Sequence, residues 1–132
     1  MGQKTDKNTG FGSFHPLDAR EYAEVTIFAE NGITTHAESE SNDDTVLKCA
    51  DALCRLIVGF PVADILQMNN NAVYYNIDET LPLDRLFCAT TAVNAVKKAA
   101  MDYMNKNGIP VPGEYICKCL TGEQTDKTQT AE

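Results

Sequence analysis

Cysteines are the residues of this chain whose chemistry is easiest to predict. The sequence holds five of them, and Cys88 lies shortly after the Leu81-Pro82 turn, at the head of a long helical pattern. A helix dipole favours the thiolate of a cysteine in the first turns, and Arg85, one turn earlier, adds a positive charge. We therefore expect Cys88 to have a lowered pKa, which suits sulfur acceptance or metal binding. The alternative is a small buried residue of the core.

The elements that must position Cys88 can be predicted from periodicity and turn residues. Residues 21–29 favour a β-strand, Asn31-Gly32 a hairpin turn, and 33–39 a strand that pairs back. Helical spacing follows over 45–58, and Gly59 ends it. We further expect a short helix over 61–68, a loop or irregular segment over 72–80, and a last helix over about 83–105 that ends before Gly108 and Pro110. The sequence therefore predicts an α+β fold, a small antiparallel sheet packed on one face by helices.

The predicted domain organisation has three parts. Residues 1–10 are polar and end in glycine, so we expect a flexible arm. Residues 11–108 form one folded domain, which is the size expected for a chain of 132 residues. Residues 109–132 form a tail with the pair Cys117-Lys118-Cys119, and we expect this tail to be mobile.

Charge and composition exclude several classes of function. The formal net charge of −8, with 11 Lys plus Arg, argues against nucleic-acid binding. No stretch of sequence is apolar enough to span a membrane, and the N-terminus is polar, so we expect a cytoplasmic protein with free thiols. Neither a nucleophile triad nor a phosphate-binding glycine loop stands out, so we expect no enzyme with its own turnover.

The order of these elements resembles a known family. The co-linear set runs from the Asn31-Gly32 turn through the Gly59-Phe60-Pro61 break to Leu81-Pro82 and the Cys88 helix, whose residues 92–103 are rich in alanine. This set is similar to the U-type iron–sulfur cluster assembly scaffolds (IscU and the N-terminal domain of NifU), over about residues 10–108. The resemblance implies their fold and a role in iron–sulfur cluster assembly.

Family members bind the cluster with three cysteines, and the resemblance implies where these positions fall here. The third is Cys88, and the histidine that usually precedes it is Phe87. The second is Asp43, or Asp44 if the alignment shifts by one residue, and the first is Asp18 by spacing. Thiolates are the natural ligands of iron–sulfur clusters, and carboxylates hold them poorly.

Two interpretations of the altered ligand set stay open. Asp18, Asp43 and Cys88 could hold an iron–sulfur cluster or a single iron or zinc ion, with His15 as a further candidate ligand. Alternatively, Asp43 or Asp44 simply caps the helix that follows and Asp18 is solvated, so that no metal binds.

The tail and the Leu-Pro segment add two more expectations from the same resemblance. Cys117 and Cys119 look like the first ligand pair of the [2Fe-2S] domain in modular NifU proteins, although no cysteine follows them. They could also be a thiol pair without a role. Residues 81–85 take the place of the segment that a dedicated heat-shock chaperone recognises, and Asp84 there predicts weaker docking.

Two functions follow from the resemblance. In the first, the protein is a scaffold in iron–sulfur cluster assembly, with Cys88 binding iron or sulfur and the co-ligands coming from Asp43, Asp18, Cys117 and Cys119 or a partner. In the second, it is a cluster-free binding or regulatory module whose acidic surface engages a cysteine desulfurase or another assembly protein.

Overall fold

Three consecutive strands pair in chain order to form an antiparallel sheet, and helices follow them. The computed structural model describes residues 7–17, 20–77 and 80–111. The strands are paired in the order β1-β2-β3. The elements are β1 (Thr9–Phe14), β2 (Ala23–Glu30), β3 (Ile33–Ser41), α1 (Asp44–Ile57), α2 (Val62–Ile65), α3 (Asn71–Tyr74), a 3-10 turn (Leu83–Arg85) and α4 (Phe87–Lys106). The predicted α+β class with an antiparallel sheet is confirmed.

The β2–β3 hairpin turns where the sequence predicts it. Asn31 and Gly32 both have positive φ, at 55° and 82°, which is the backbone of a tight two-residue hairpin turn. The pairing then shifts by one residue between Phe28 and Ala29, because β3 carries an extra residue there. This β-bulge sets the register of the rest of β3.

The core lies between one face of the sheet and the two long helices. Residues alternate along β2, and every second side chain is buried: Ala23, Val25, Ile27 and Ala29. Helix α1 packs against β3, and α4 crosses β1 and β2. The buried face of α4 contributes Ala89, Val93, Val96, Ala100 and Met104 to the core.

Strand β1 replaces part of the predicted N-terminal arm. It begins at Thr9, so residues 9 and 10, which the sequence assigns to the arm, belong to the sheet. A Cβ atom on Gly12 would lie 2.3 Å from the Ala95 carbonyl oxygen, and one on Gly10 would lie 2.1 Å from that of Ala99. The two glycines therefore let the backbone of α4 lie directly on β1.

The segment between the long helices is more helical than expected. Residues 71–74 form the single turn α3 rather than a loop, since Val73 is fully buried and anchors the turn on the core. Asn70 also donates a side-chain hydrogen bond to Thr90 on α4, at 2.9 Å. The predicted last helix is divided into the 3-10 turn and α4, which ends near Gly108 with its φ of 70°. Within the described ranges, no helix combines the length and apolar character needed to cross a membrane.

Candidate functional site

Cys88 is the second residue of α4, as predicted, but its environment differs from the prediction. The side chain has no solvent exposure. Burial raises the pKa of the thiol to about 11, from an ordinary value of 9.0. Arg85 pulls this pKa down, as expected, while the carboxylates of Asp43 and Glu21 push it up. The prediction of a lowered pKa is therefore wrong, because desolvation of the thiolate outweighs the nearby guanidinium.

Asp43 caps helix α1 and binds Arg85 with the same oxygen. Its Oδ2 atom accepts a hydrogen bond from the backbone N–H of Val46 at 3.0 Å and another from Nη2 of Arg85 at 2.7 Å. Burial alone would raise the pKa of Asp43, but these two interactions lower it below its ordinary value. Asp43 is therefore held as a carboxylate at the corner between β3 and α1.

Arg85 joins three separate segments of the chain. Besides Asp43 it faces Glu21, which precedes β2, with Nη1 3.6 Å from Oε2. Its guanidinium also lies over the ring of Phe87, 5.1 Å from the centroid. Glu21 was not singled out from the sequence. The signal that could have found it is the hairpin register, because continuing the Ala23–Ser41 pairing by two residues brings position 21 opposite position 43.

A cleft opens beside this ion-pair cluster. Its volume is about 760 Å³. Arg20 lines it together with the charged cluster, and the exposed side chain of Leu17 forms part of its wall. Asn42 holds this wall in place, because its amide donates to the Arg20 carbonyl at 3.0 Å and its Oδ1 accepts from the Tyr22 N–H at 3.0 Å. The lining residues are Pro16, Leu17, Arg20, Glu21, Asn42, Asp43, Arg85 and Phe87.

The structure brings together two of the predicted site residues. Cys88 and Asp43 lie at the same end of the domain, on either side of Arg85. Asp18 and the tail pair, Cys117 and Cys119, lie outside the described residues. Within residues 7–17, 20–77 and 80–111, no group of three His, Cys, Asp or Glu side chains is placed to hold a metal ion.

The two histidines and the other described cysteines lie elsewhere. His15 is exposed and stacks against Tyr22, with ring centroids 5.4 Å apart. His36 faces solvent on β3, next to Glu38. Cys49 and Cys54 are buried cysteines of α1, and burial raises the pKa of Cys54 to about 11. These observations add no further ligand to the Cys88 end.

The described donor set does not fit an iron–sulfur cluster. Its one thiol is buried and protonated at neutral pH, and its carboxylate already serves a helix cap and an arginine. The guanidinium of Arg85 carries a positive charge between them, which opposes a metal cation. Clusters are normally held by several thiolates. The arrangement is instead that of a closed ion-pair network over a buried thiol.

Comparison with known proteins adds no assignment: no protein-family model matches this chain, and no curated protein matches it.

Proposed function

We propose that this domain acts in iron–sulfur cluster assembly as a binding or regulatory module that engages a cysteine desulfurase or another assembly protein. The resemblance in the order of elements supports the assembly role. One observation supports the module over a cluster carrier, namely the 2.7 Å ion pair between Arg85 and Asp43. It stands where the resemblance would put cluster ligands, and it uses the Asp43 carboxylate that a metal ion would need.

The surface around the ion pair has the composition of a protein-binding site. Leu83, two residues before Arg85, is 88% exposed, and Leu17 in the cleft wall is 82% exposed. Exposed apolar side chains of this size are candidate contacts for a protein partner. The charged cluster at Arg85 would add orientation and specificity.

Binding to a purified cysteine desulfurase, measured by calorimetric titration, tests this proposal. We expect the full chain to bind, and Leu83→Ala and Leu17→Ala each to weaken binding by about tenfold, which is the loss expected when a partner buries a leucine side chain. Val58→Ala is the matched control, since Val58 is also exposed but follows the far end of α1. Absence of binding, or equal loss with all three variants, would contradict the proposed site.

A second candidate function is supported by the position of Cys88 itself. A thiol under an arginine, beside an open cleft, could accept sulfur once Arg85 moves aside. In that reaction the Cys88 thiolate attacks the outer sulfur of a donor persulfide, a new S–S bond forms at Cys88, and the donor cysteine leaves as its thiolate. The chain would then be a scaffold that loads sulfur or iron through Cys88.

Mass spectrometry after incubation with a persulfide-loaded desulfurase separates the two candidates. The scaffold function requires a gain of one sulfur atom at Cys88 that disappears in Cys88→Ser. The module requires binding without that gain. Cys54→Ser is the matched control, because Cys54 is likewise buried with a pKa of about 11.

A further inference from the structure

Most of the sheet's two outer edges are covered within the described part of the chain. On β1, the N–H of Phe11 donates to Oδ2 of Asp102 at 2.9 Å, and Lys106 reaches the Thr9 hydroxyl at 3.3 Å. At the start of β3, Thr34 donates to the Phe60 carbonyl at 2.9 Å and accepts from Gly59 at 2.8 Å. Covering of this kind prevents a second chain from pairing with the edge.

The middle of β3 lacks such a cover among the described residues. The N–H of Ala29 donates to the carbonyl of Asn8 on the β1 side. Because backbone groups alternate in direction along a strand, the N–H and C=O groups of odd-numbered residues 23–29 point towards β1 and those of the even-numbered residues point towards β3. Residues 36, 38 and 40 of β3 therefore pair with β2, and the N–H and C=O groups of Ala37 and Ser39 point outward. No backbone partner is recorded for these outward groups within residues 7–17, 20–77 and 80–111.

The charges along this open edge have one predominant sign. Glu40 lies directly opposite Glu24, and like charges in that position repel each other. Glu38, two residues before Glu40, has its side chain on the same face of the sheet, and 63% of that side chain is exposed. Asp51 of α1 is close enough to act on Cys54, which hydrogen-bonds to Ser39 under the same edge. Arg55 balances Asp51, and Glu38 lies 3.2 Å from His36. Glu24 and Glu40 form no salt bridge with a lysine or arginine among the described residues.

We propose that the edge of β3 at Ala37–Ser39 accepts an added strand from a partner protein, an extended segment rich in lysine and arginine. The outward backbone groups would supply the hydrogen bonds of a fourth strand. Glu24, Glu38 and Glu40 would supply the charge complementarity, because a basic strand relieves their repulsion. This surface is distinct from the cleft at Arg85, so it does not depend on the proposed function.

Fluorescence anisotropy with a labelled peptide of alternating lysine and valine, seven residues long, tests the proposal on the full chain. We expect saturable binding that weakens at least tenfold when salt is raised from 50 to 500 mM. The same peptide with glutamate in place of lysine should not bind. Glu40→Gln should weaken binding several-fold, and Glu30→Gln, beside the turn, is the matched control with unchanged binding.

Two tests address the backbone hydrogen bonds of the added strand, one by changing the protein and one by changing the peptide. Ala37→Pro removes an outward N–H while leaving the pairing with β2, since proline is tolerated on an edge strand, and it should abolish peptide binding. N-methylation of alternate peptide amides tests the same point without altering the protein. One set of alternate positions should abolish binding and the other should leave it intact. Absence of binding, or equal binding by both methylated sets, would overturn the proposed strand addition.

Discussion

Replacing Arg85 with glutamine should make Cys88 less reactive, even though it removes a side chain that lies over the site. Arg85 lowers the pKa of this thiol, while Asp43 and Glu21 raise it. Arg85→Gln removes the cation and leaves both carboxylates without their shared partner. Loss of the cation therefore raises the pKa of Cys88 further above about 11. A neighbouring opposite charge changes a pKa by about one to three, so we expect its removal to raise the pKa of Cys88 by about one.

The magnitude can be read from the rate of alkylation at pH 9. A thiol with a pKa of about 11 is about 1% thiolate at that pH, compared with about 50% for the ordinary value of 9.0. A rise of one unit lowers the thiolate fraction, and with it the rate, by about tenfold. Peptide mass spectrometry after timed exposure to iodoacetamide gives a separate rate for each cysteine.

Two comparisons make this prediction refutable. Cys54 in the same variant reports any general loosening of the fold, because it is similarly buried. Arg55→Gln is the matched variant, since Arg55 lowers the pKa of Cys54 while being well exposed, and it should leave Cys88 unchanged. A faster reaction of Cys88 in Arg85→Gln, with Cys54 unaffected, would refute the electrostatic reasoning and show that Arg85 acts mainly as a cover.

Three further predictions concern stability, measured as the free energy of unfolding in urea. Asp43→Ala should cost about 1 kcal/mol through loss of the cap. Because the pKa of Asp43 is lowered in the fold, its carboxylate stabilises the protein above pH 3.8, and this contribution is lost as pH falls through the folded pKa. Asp43→Asn keeps the cap but should abolish this pH-dependent contribution. An unchanged dependence of stability on acid pH would contradict this. For Cys88 the folded pKa is raised, so its contribution is complete below pH 9.0 and is lost as pH rises through about 11. Cys88→Ser should therefore reduce the loss of unfolding free energy between pH 9.0 and about 11 by on the order of 2 kcal/mol. An alkaline pH dependence identical to that of the wild type would count against a buried thiol. Gly12→Ala should cost about 1–3 kcal/mol, because its Cβ would meet the backbone of α4, whereas Ser13→Ala should be nearly neutral; equal effects would contradict the close packing of α4 on β1.

Features encoded by neighbouring residues were predictable from the sequence. The Asn31-Gly32 hairpin follows from two residues that tolerate positive φ, and helix α1 follows from one amphipathic period. Gly10 and Gly12 of β1 follow a polar segment and therefore favour the end of an arm, because glycine is also typical of linkers. Their spacing of two residues places both on one face of a strand, and only the position of α4 explains why that face needs glycine.

The candidate site was predictable only in part because its contacts join distant parts of the chain. The position of Cys88 near the start of a helix is a local feature that the sequence predicts. A cap at Asp43 or Asp44 is one of two interpretations that the sequence leaves open, and the structure places the cap at Asp43. The Arg85–Asp43 ion pair spans 42 residues, and Glu21 approaches it only through a register that the bulge in β3 has shifted by one residue. The degree of burial that sets the pKa of Cys88 depends on packing, which no local pattern reports.

The most direct test of the central claim is the amount of iron and acid-labile sulfide bound per chain after anaerobic reconstitution of the full protein. The closed ion pair over a protonated Cys88 predicts neither iron nor sulfide in stoichiometric amount, with Cys88→Ser behaving like the wild type. Near-stoichiometric iron and sulfide that are lost in Cys88→Ser would contradict the account, because they would make the domain a working cluster scaffold. Iron or zinc without sulfide, lost in both Asp43→Asn and Cys88→Ser, would contradict it as well, because Arg85 would then yield its place to a metal ion.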